Sequence, residues 1–272
     1  MAYISFQPKD YFKTKLYTGD ASSSNAITGV GFQPDWTWIK GRNIAESNRL
    51  YDAVRGASNY ITSNSSGAQS NSIPLTSFNA DGFTIGTNDD SVNGSYNYAS
   101  MNWKANGQGS SNTDGTINTT YTSANTTSGV SIIQYTGTGS NATIGHGLGV
   151  APASVIIKRT SATGDWVIGN NGMGGWNYVL NFSTSPRANQ NAQFQSTAPD
   201  ANVITLGTDG QVNESGVTYI CYAFSPITGF SQFDGYEGNG SADGTYVYTG
   251  FKPAFLMVKG ATVTDNWSMF NN

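Results

Sequence analysis

Gly31-Phe-Gln-Pro-Asp-Trp-Thr-Trp-Ile-Lys40 is the stretch on which the reading of this chain turns, because it returns twice. Gly149-Val-Ala-Pro-Ala-Ser-Val-Ile-Ile-Lys158 and Gly250-Phe-Lys-Pro-Ala-Phe-Leu-Met-Val-Lys259 keep Gly, Pro and Lys at the same spacing. A Tyr-x-Gly triplet precedes each copy, at Tyr17, Tyr135 and Tyr236. Tyr to Pro is 17 residues in all three, and Pro to Lys is 6. Three ungapped copies mark an internal repeat. Further agreement follows: Gly86 and Gly207 each lie 17 residues before a large aromatic, Trp103 and Phe224. Trp166 and Trp267 each stand 8 residues after the repeat's Lys.

Inside the repeat, Trp36 and Trp38 alternate with Thr37 and Ile39, as in a strand. Val155-Ile-Ile157 and Phe255-Leu-Met-Val258 fill the same slot as unbroken apolar runs, which suits a strand covered on both faces. Further strands are expected at Val130–Tyr135, Trp166–Ile168, Tyr178–Phe182, Val203–Leu206 and Val217–Phe224, all β-branched or aromatic and bounded by Gly, Asn, Asp or Pro. Asn48–Arg55 reads as a helix or a strand. The fold class is therefore all-β, as tandem antiparallel β-sandwiches of jelly-roll or lectin-like type. Pro in the repeat sets a bend before the ladder begins, and the closing Lys is expected to guard a solvent-facing strand end.

The organisation expected is an N-terminal docking segment at 1–16, a sandwich at 17–105, a polar linker at 106–129, a second sandwich at 130–230, and the start of a third repeat at 231–272. The docking aromatics are Tyr3, Phe6, Tyr11 and Phe12. The third repeat lacks a counterpart of the closing aromatic strand, so 272 residues are expected to be the N-terminal portion of a longer chain.

Composition narrows the chemistry. Charged residues are only 11% of the chain, net charge is −4, and aromatics reach 12%. No basic face offers phosphate neutralisation, so nucleic-acid binding is not expected. No apolar run is long enough to span a membrane, and no secretory signal is expected from the pattern of Met1–Pro8. With one Cys (Cys221) and one His (His146), a Cys/His zinc site is excluded by arithmetic. His146 sits in a Gly-His-Gly turn of one repeat alone, and reads as a turn histidine. Asn88-Asp-Asp90 reads as a solvated turn, since no alternating oxygen ligands follow it. No metal, no cofactor and no enzymatic activity are expected. Trp166, Asn170, Asn171, Trp176 and Asn177 combine flat rings with amides, the mixture that covers sugar C–H faces and satisfies hydroxyls. The competing reading places these rings in the core.

The chain resembles a tandem-repeat module of fibre-like virion proteins of tailed bacteriophages, often marine. The resemblance rests on Met1–Phe12, Ile27–Lys40, Leu50-Tyr-Asp-Ala-Val-Arg-Gly56, Leu75–Gly86 and Asn102-Trp-Lys-Ala105. It implies a tail or capsid fibre in the virion, docked by its N-terminus on other virion proteins, self-associating as a homotrimer, and touching a host surface glycan. It implies no catalytic residues. A carbohydrate-binding module and a polysaccharide-degrading tailspike-like enzyme are the alternatives.

Overall fold

A computed structural model describes residues 4–72 and 74–271. The first repeat supplies β1 (Phe12–Thr18), β2 (Asn25–Thr28), β3 (Trp36–Gly41), β4 (Arg49–Asp52), β5 (Tyr60–Ile61), β6 (Leu75–Asn79), β7 (Gly82–Ile85) and β8 (Asn97–Trp103). The second supplies β9 (Tyr121–Asn125), β10 (Val130–Thr136), β11 (Ala142–Gly145), β12 (Ser154–Arg159), β13 (Val167–Asn170), β14 (Tyr178–Val179), β15 (Ala188–Asn189), β16 (Val203–Leu206) and β17 (Thr218–Phe224). The third contributes the hairpin β18 (Phe255–Val258) and β19 (Ser268–Asn271). The chain is all-β and sandwich-like, as its alternation predicts. Asn48–Arg55 resolves into the strand β4 and a turn.

Each full repeat has the same plan. A large antiparallel sheet, β1-β8-β3-β4-β5 or β9-β10-β17-β12-β13, is backed by a small one, β2-β7-β6 or β11-β16. The recurring sequence features follow from this plan. Tyr17 stacks on Tyr98 across β1 and β8 (5.1 Å), and Tyr135 stacks on Tyr219 across β10 and β17 (5.0 Å). Their hydroxyls donate to the carbonyls of Val92 and Val212, both at 2.7–2.8 Å. The Gly two residues later is required by close approach: a Cβ on Gly19 would lie 2.0 Å from the Gly94 carbonyl, and one on Gly137 2.3 Å from that of Glu214. The repeat's Gly before Pro has φ of +90° at Gly31, +71° at Gly149 and +77° at Gly250, a region that costs other residues strain.

Between the large and small sheet of each repeat lies one core. Ile39, Tyr51, Phe83, Ile85 and Tyr98 fill the first; Ile133, Tyr135, Val155, Ile157 and Cys221 the second. The opposite faces of the large sheets form a third core, shared by both repeats. Trp36, Trp38, Met101 and Trp103 meet Ile132, Ile156, Tyr222 and Phe224 there. On β17 the alternation is complete: Tyr219, Cys221 and Ala223 face inward within the repeat, Ile220, Tyr222 and Phe224 face the neighbouring repeat. The unbroken apolar runs thus reflect two covered faces.

The repeats are therefore not sandwiches strung on a linker. The 106–129 tract is built into the second repeat: β9 pairs with β10 from Tyr121↔Gln134 to Asn125↔Val130, and Ile117 is buried beside Ile144. The N-terminal segment also makes contacts with the body. Phe12 opens β1 and packs on Trp103 (5.0 Å), while Phe6 lies against Tyr11 (4.9 Å) and Phe230 (5.4 Å). Phe12 stands at the start of a strand beside the shared core, while Phe6 and Tyr11 lie outside the strand; all three rings are half-buried. Tyr3 lies outside the described residues.

The joint between repeats recurs. Trp166 Nε1 of the second repeat donates to the Thr62 carbonyl of the first (3.0 Å), and Trp267 Nε1 of the third donates to the Asn181 carbonyl of the second (2.9 Å). Lys158 Nζ reaches the Ser66 carbonyl (3.2 Å), and Lys259 Nζ the Thr184 carbonyl (3.4 Å). Backbone bonds repeat as well: Gly164 N to Ser66 O and Asp265 N to Thr184 O, then Gln69 N to Thr160 O and Arg187 N to Ala261 O. In the second repeat the closing Lys does not guard a solvent end: Lys158 is buried, and burial pulls its ammonium pKa down to about 8. The third repeat returns to the first, since Phe255 packs on Phe12 and Trp103, both at 5.7 Å, as Trp36 packs on Phe224 at 5.8 Å. Three repeats of one chain thus surround a common aromatic core.

Candidate functional site

Of the five residues expected to bind sugar, the two tryptophans are drawn into the cores, while Asn170 and Asn177 are half-buried and Asn171 is exposed. Trp166 lies 2% exposed in the shared core, its face against Phe182 and its indole nitrogen bonded across the joint. Trp176 is 5% exposed, edge-on to Phe194, and donates through Nε1 to Asn171 Oδ1 at 2.9 Å. Asn170 caps the 3-10 turn Asn171–Met173 by accepting from Gly172 N at 2.7 Å. Asn177 gives its carbonyl to Gln190 N. No ring face remains for a pyranose there. Trp166 and Trp176 also belong to different cores, because they hang from opposite faces of the second repeat.

His146 is buried, and both ring nitrogens are engaged by main chain. Nδ1 accepts from Leu148 N (3.2 Å), which leaves Nε2 to donate to the Asp200 carbonyl (3.2 Å). The imidazole is thereby held neutral, and burial pulls its pKa below the ordinary value. A group depressed in the fold binds more protons unfolded, so its contribution is present above about pH 6.5 and is lost as pH falls toward the folded pKa. We expect His146→Gln to flatten the acid limb of stability against pH in that window, read by denaturant midpoints of both proteins. An identical slope would show that the ring does not titrate on unfolding.

Other titratable groups serve turns or burial. Asp89 Oδ1 accepts Ser91 N (2.8 Å), so Asn88-Asp-Asp90 caps a loop. Burial pushes the Cys221 thiol up, away from reactivity. Among the described residues no group of three or more His, Cys, Asp or Glu is placed to hold a metal ion. Among them, too, no helix is long and apolar enough to cross a membrane.

A polar network sits at the centre of the first joint. Arg55 Nε meets Asp52 Oδ2 at 2.6 Å with both side chains fully buried, and Tyr222 of the second repeat donates its hydroxyl to the same oxygen at 2.7 Å. Arg55 also donates to the Leu50 carbonyl at 3.1 Å. Above this joint the surface opens into a cleft of about 320 Å³. Ser63 and Asn64 of the first repeat face Asn181 and Phe182 of the second, with Asp165 and the rim of Trp166 between them. A second hollow of about 430 Å³, lined by Pro74, Gly86, Thr87 and Asp89, lies beside the first repeat's small sheet. Apart from Trp166, the cleft residues escape a sequence reading because Ser63–Ser66 and the facing loops of the second repeat lie far apart in the chain. Their one sequence signal is the repeat itself, which places Ser66 and Thr184 at equal distances after Pro34 and Pro152.

A family model described as a domain of unknown function, DUF7483, matches residues 7–272. The chain belongs to that family. The match runs unbroken across both large sheets and the hairpin β18–β19, in keeping with one DUF7483 unit built around a shared core. No curated protein and no solved structure matches the chain.

Proposed function

We propose that this chain is a structural component of a phage virion, a tail or capsid fibre whose repeat array is presented for host attachment. The observation that carries the reading is the recurring joint: aromatic, Lys and Trp side chains that a sequence could spend on chemistry are used to lock one repeat onto the next. Such a body is a scaffold with a polar, sparsely charged exterior, suited to standing in water beside other virion proteins. The resemblance of Met1–Phe12, Ile27–Lys40 and Leu50–Gly56 to fibre-like virion proteins points the same way, and self-association into a homotrimer belongs to the proposal.

The test is particle association. Peptides of this chain are expected in virions purified by density gradient, at a fixed ratio to the capsid protein. Presence in the infected-cell lysate together with absence from the purified particle would overturn the proposal. Sedimentation of the isolated chain reads the trimer: a sharp boundary at three times 28.8 kDa is expected.

A carbohydrate-binding role is the second reading, favoured by the polar cleft over the first joint. Hydrolysis of a glycosidic bond uses two carboxylates roughly 5–10 Å apart, and the cleft lining holds one, Asp165. Its chemistry is that of binding.

A further inference from the structure

We propose that the cleft over the first repeat joint binds a neutral hexose of a surface glycan, with Asp165 and Asn64 as its polar anchors. The inference rests on the host-attachment reading and gives it a site.

The walls are in place before any ligand arrives. Ser66 offers its carbonyl to Lys158 Nζ and Gly164 N, and Thr184 offers its own to Lys259 Nζ and Asp265 N, so both loops are tied from behind. A pre-ordered wall spares the ligand the ordering cost of a mobile one. The loops are repeat equivalents, and they face each other across the opening.

Polar capacity is left over toward the cleft. Asp165 is exposed and its carboxylate makes no hydrogen bond among the described residues. Asn64 spends its amide nitrogen on Ser47 Oγ (3.1 Å) and keeps its oxygen. Asn181 is placed for its nitrogen to donate to the carbonyls of Leu180 (3.1 Å) and Trp166 (3.0 Å), which leaves its oxygen as an acceptor. With the hydroxyls of Ser63, Ser65, Ser66, Ser183 and Ser185, which both donate and accept, the lining suits a ligand whose own hydroxyls do both. Asp165 is the one carboxylate in the lining, where no Lys or Arg stands among the described residues, and this disfavours sialic acids and phosphorylated sugars.

An apolar contact is present as well. Phe182 is half-buried and held edge-on by Trp38 (5.6 Å), Trp166 (5.1 Å) and Trp267 (5.2 Å), so one aromatic from each of the three repeats fixes its position. A volume near 320 Å³ sits at the small end of ligand sites, enough for roughly one or two sugar rings. At the second joint Asn266 stands where Asp165 stands at the first, so the anchor is particular to the first joint.

Saturation-transfer NMR on the full chain, with the methyl α-hexopyranosides of glucose, galactose and mannose and with methyl sialoside as the anionic control, tests this. At least one neutral hexoside is expected to receive saturation. Asp165→Ala should weaken it about tenfold, the value of one lost charge-assisted hydrogen bond. Asn64→Ala should weaken it several-fold, with both variants melting like the parent because both residues are exposed. Silence from all three hexosides, equal binding by Asp165→Ala, or preference for the sialoside would overturn the site. Virion association is scored separately: a particle-bound chain with silent spectra sinks the cleft alone, whereas hexoside binding by a chain absent from particles sinks the fibre.

Discussion

Trp36→Ala is expected to destabilise the whole molecule by about 3–5 kcal/mol, the range for removing a large buried aromatic. Trp36 is sandwiched between Trp103 of its own repeat (4.3 Å) and Tyr222 of the next (4.4 Å), both near-parallel. Deleting the ring leaves a cavity at the centre of the shared core, where two stacked faces cannot collapse onto each other without moving a sheet. Both repeats lose the same contact, so urea unfolding should remain one transition at a lower midpoint. Two separated transitions, with the second repeat's midpoint unchanged, would show that the repeats are energetically independent. Trp36→Phe, which keeps a ring in the stack, should recover most of the loss.

Arg55→Met should cost about 3–5 kcal/mol, for a different reason. Burial opposes the guanidinium charge, and Asp52 and Tyr222 more than offset that opposition. Removing the cation strands the Asp52 carboxylate at zero exposure, where among the described residues the Tyr222 hydroxyl and the backbone amide of residue 55 are its remaining donors. The Leu50 carbonyl and the Gln69 side chain lose a donor too. The double variant Asp52→Leu/Arg55→Met should be far milder than the single one, since replacing a whole buried pair by apolar groups is often close to neutral. A double variant as damaged as the single one would mean that the network itself specifies how the repeats meet. Thermal midpoints of the three proteins decide between these.

The segment Leu50-Tyr-Asp-Ala-Val-Arg-Gly56 shows why the sequence is only partly legible. Its pattern fits a helix or a strand, and the fold takes the strand, β4, over Arg49–Asp52. Nothing local says that Asp52 and Arg55 will face Tyr222, 170 and 167 positions away. The same holds for Trp166. As a ring among Asn residues it has the composition of a sugar platform, yet its neighbour in space is Thr62 of another repeat. Residues 106–129 mislead through composition: Ser, Thr, Asn and Gly are the residues of linkers, and here a side chain of the edge strand β9 holds the tract's own backbone, as Ser123 Oγ accepts from Asn106 N (2.8 Å).

What the amino-acid order determined by itself is the repeat, its antiparallel strands, the glycines that must turn or admit a carbonyl, and the sparse charge. These are local properties, set by φ, by side-chain periodicity of two and by spacing. Only the tertiary structure decided what covers the second face of each large sheet. A strand apolar on both sides demands two partners without naming either, and the partner proved to be the next repeat. That choice turned the recurring Trp and Lys into a joint, folded the N-terminal aromatics and the polar tract into the body, and opened the cleft between loops that the chain keeps far apart.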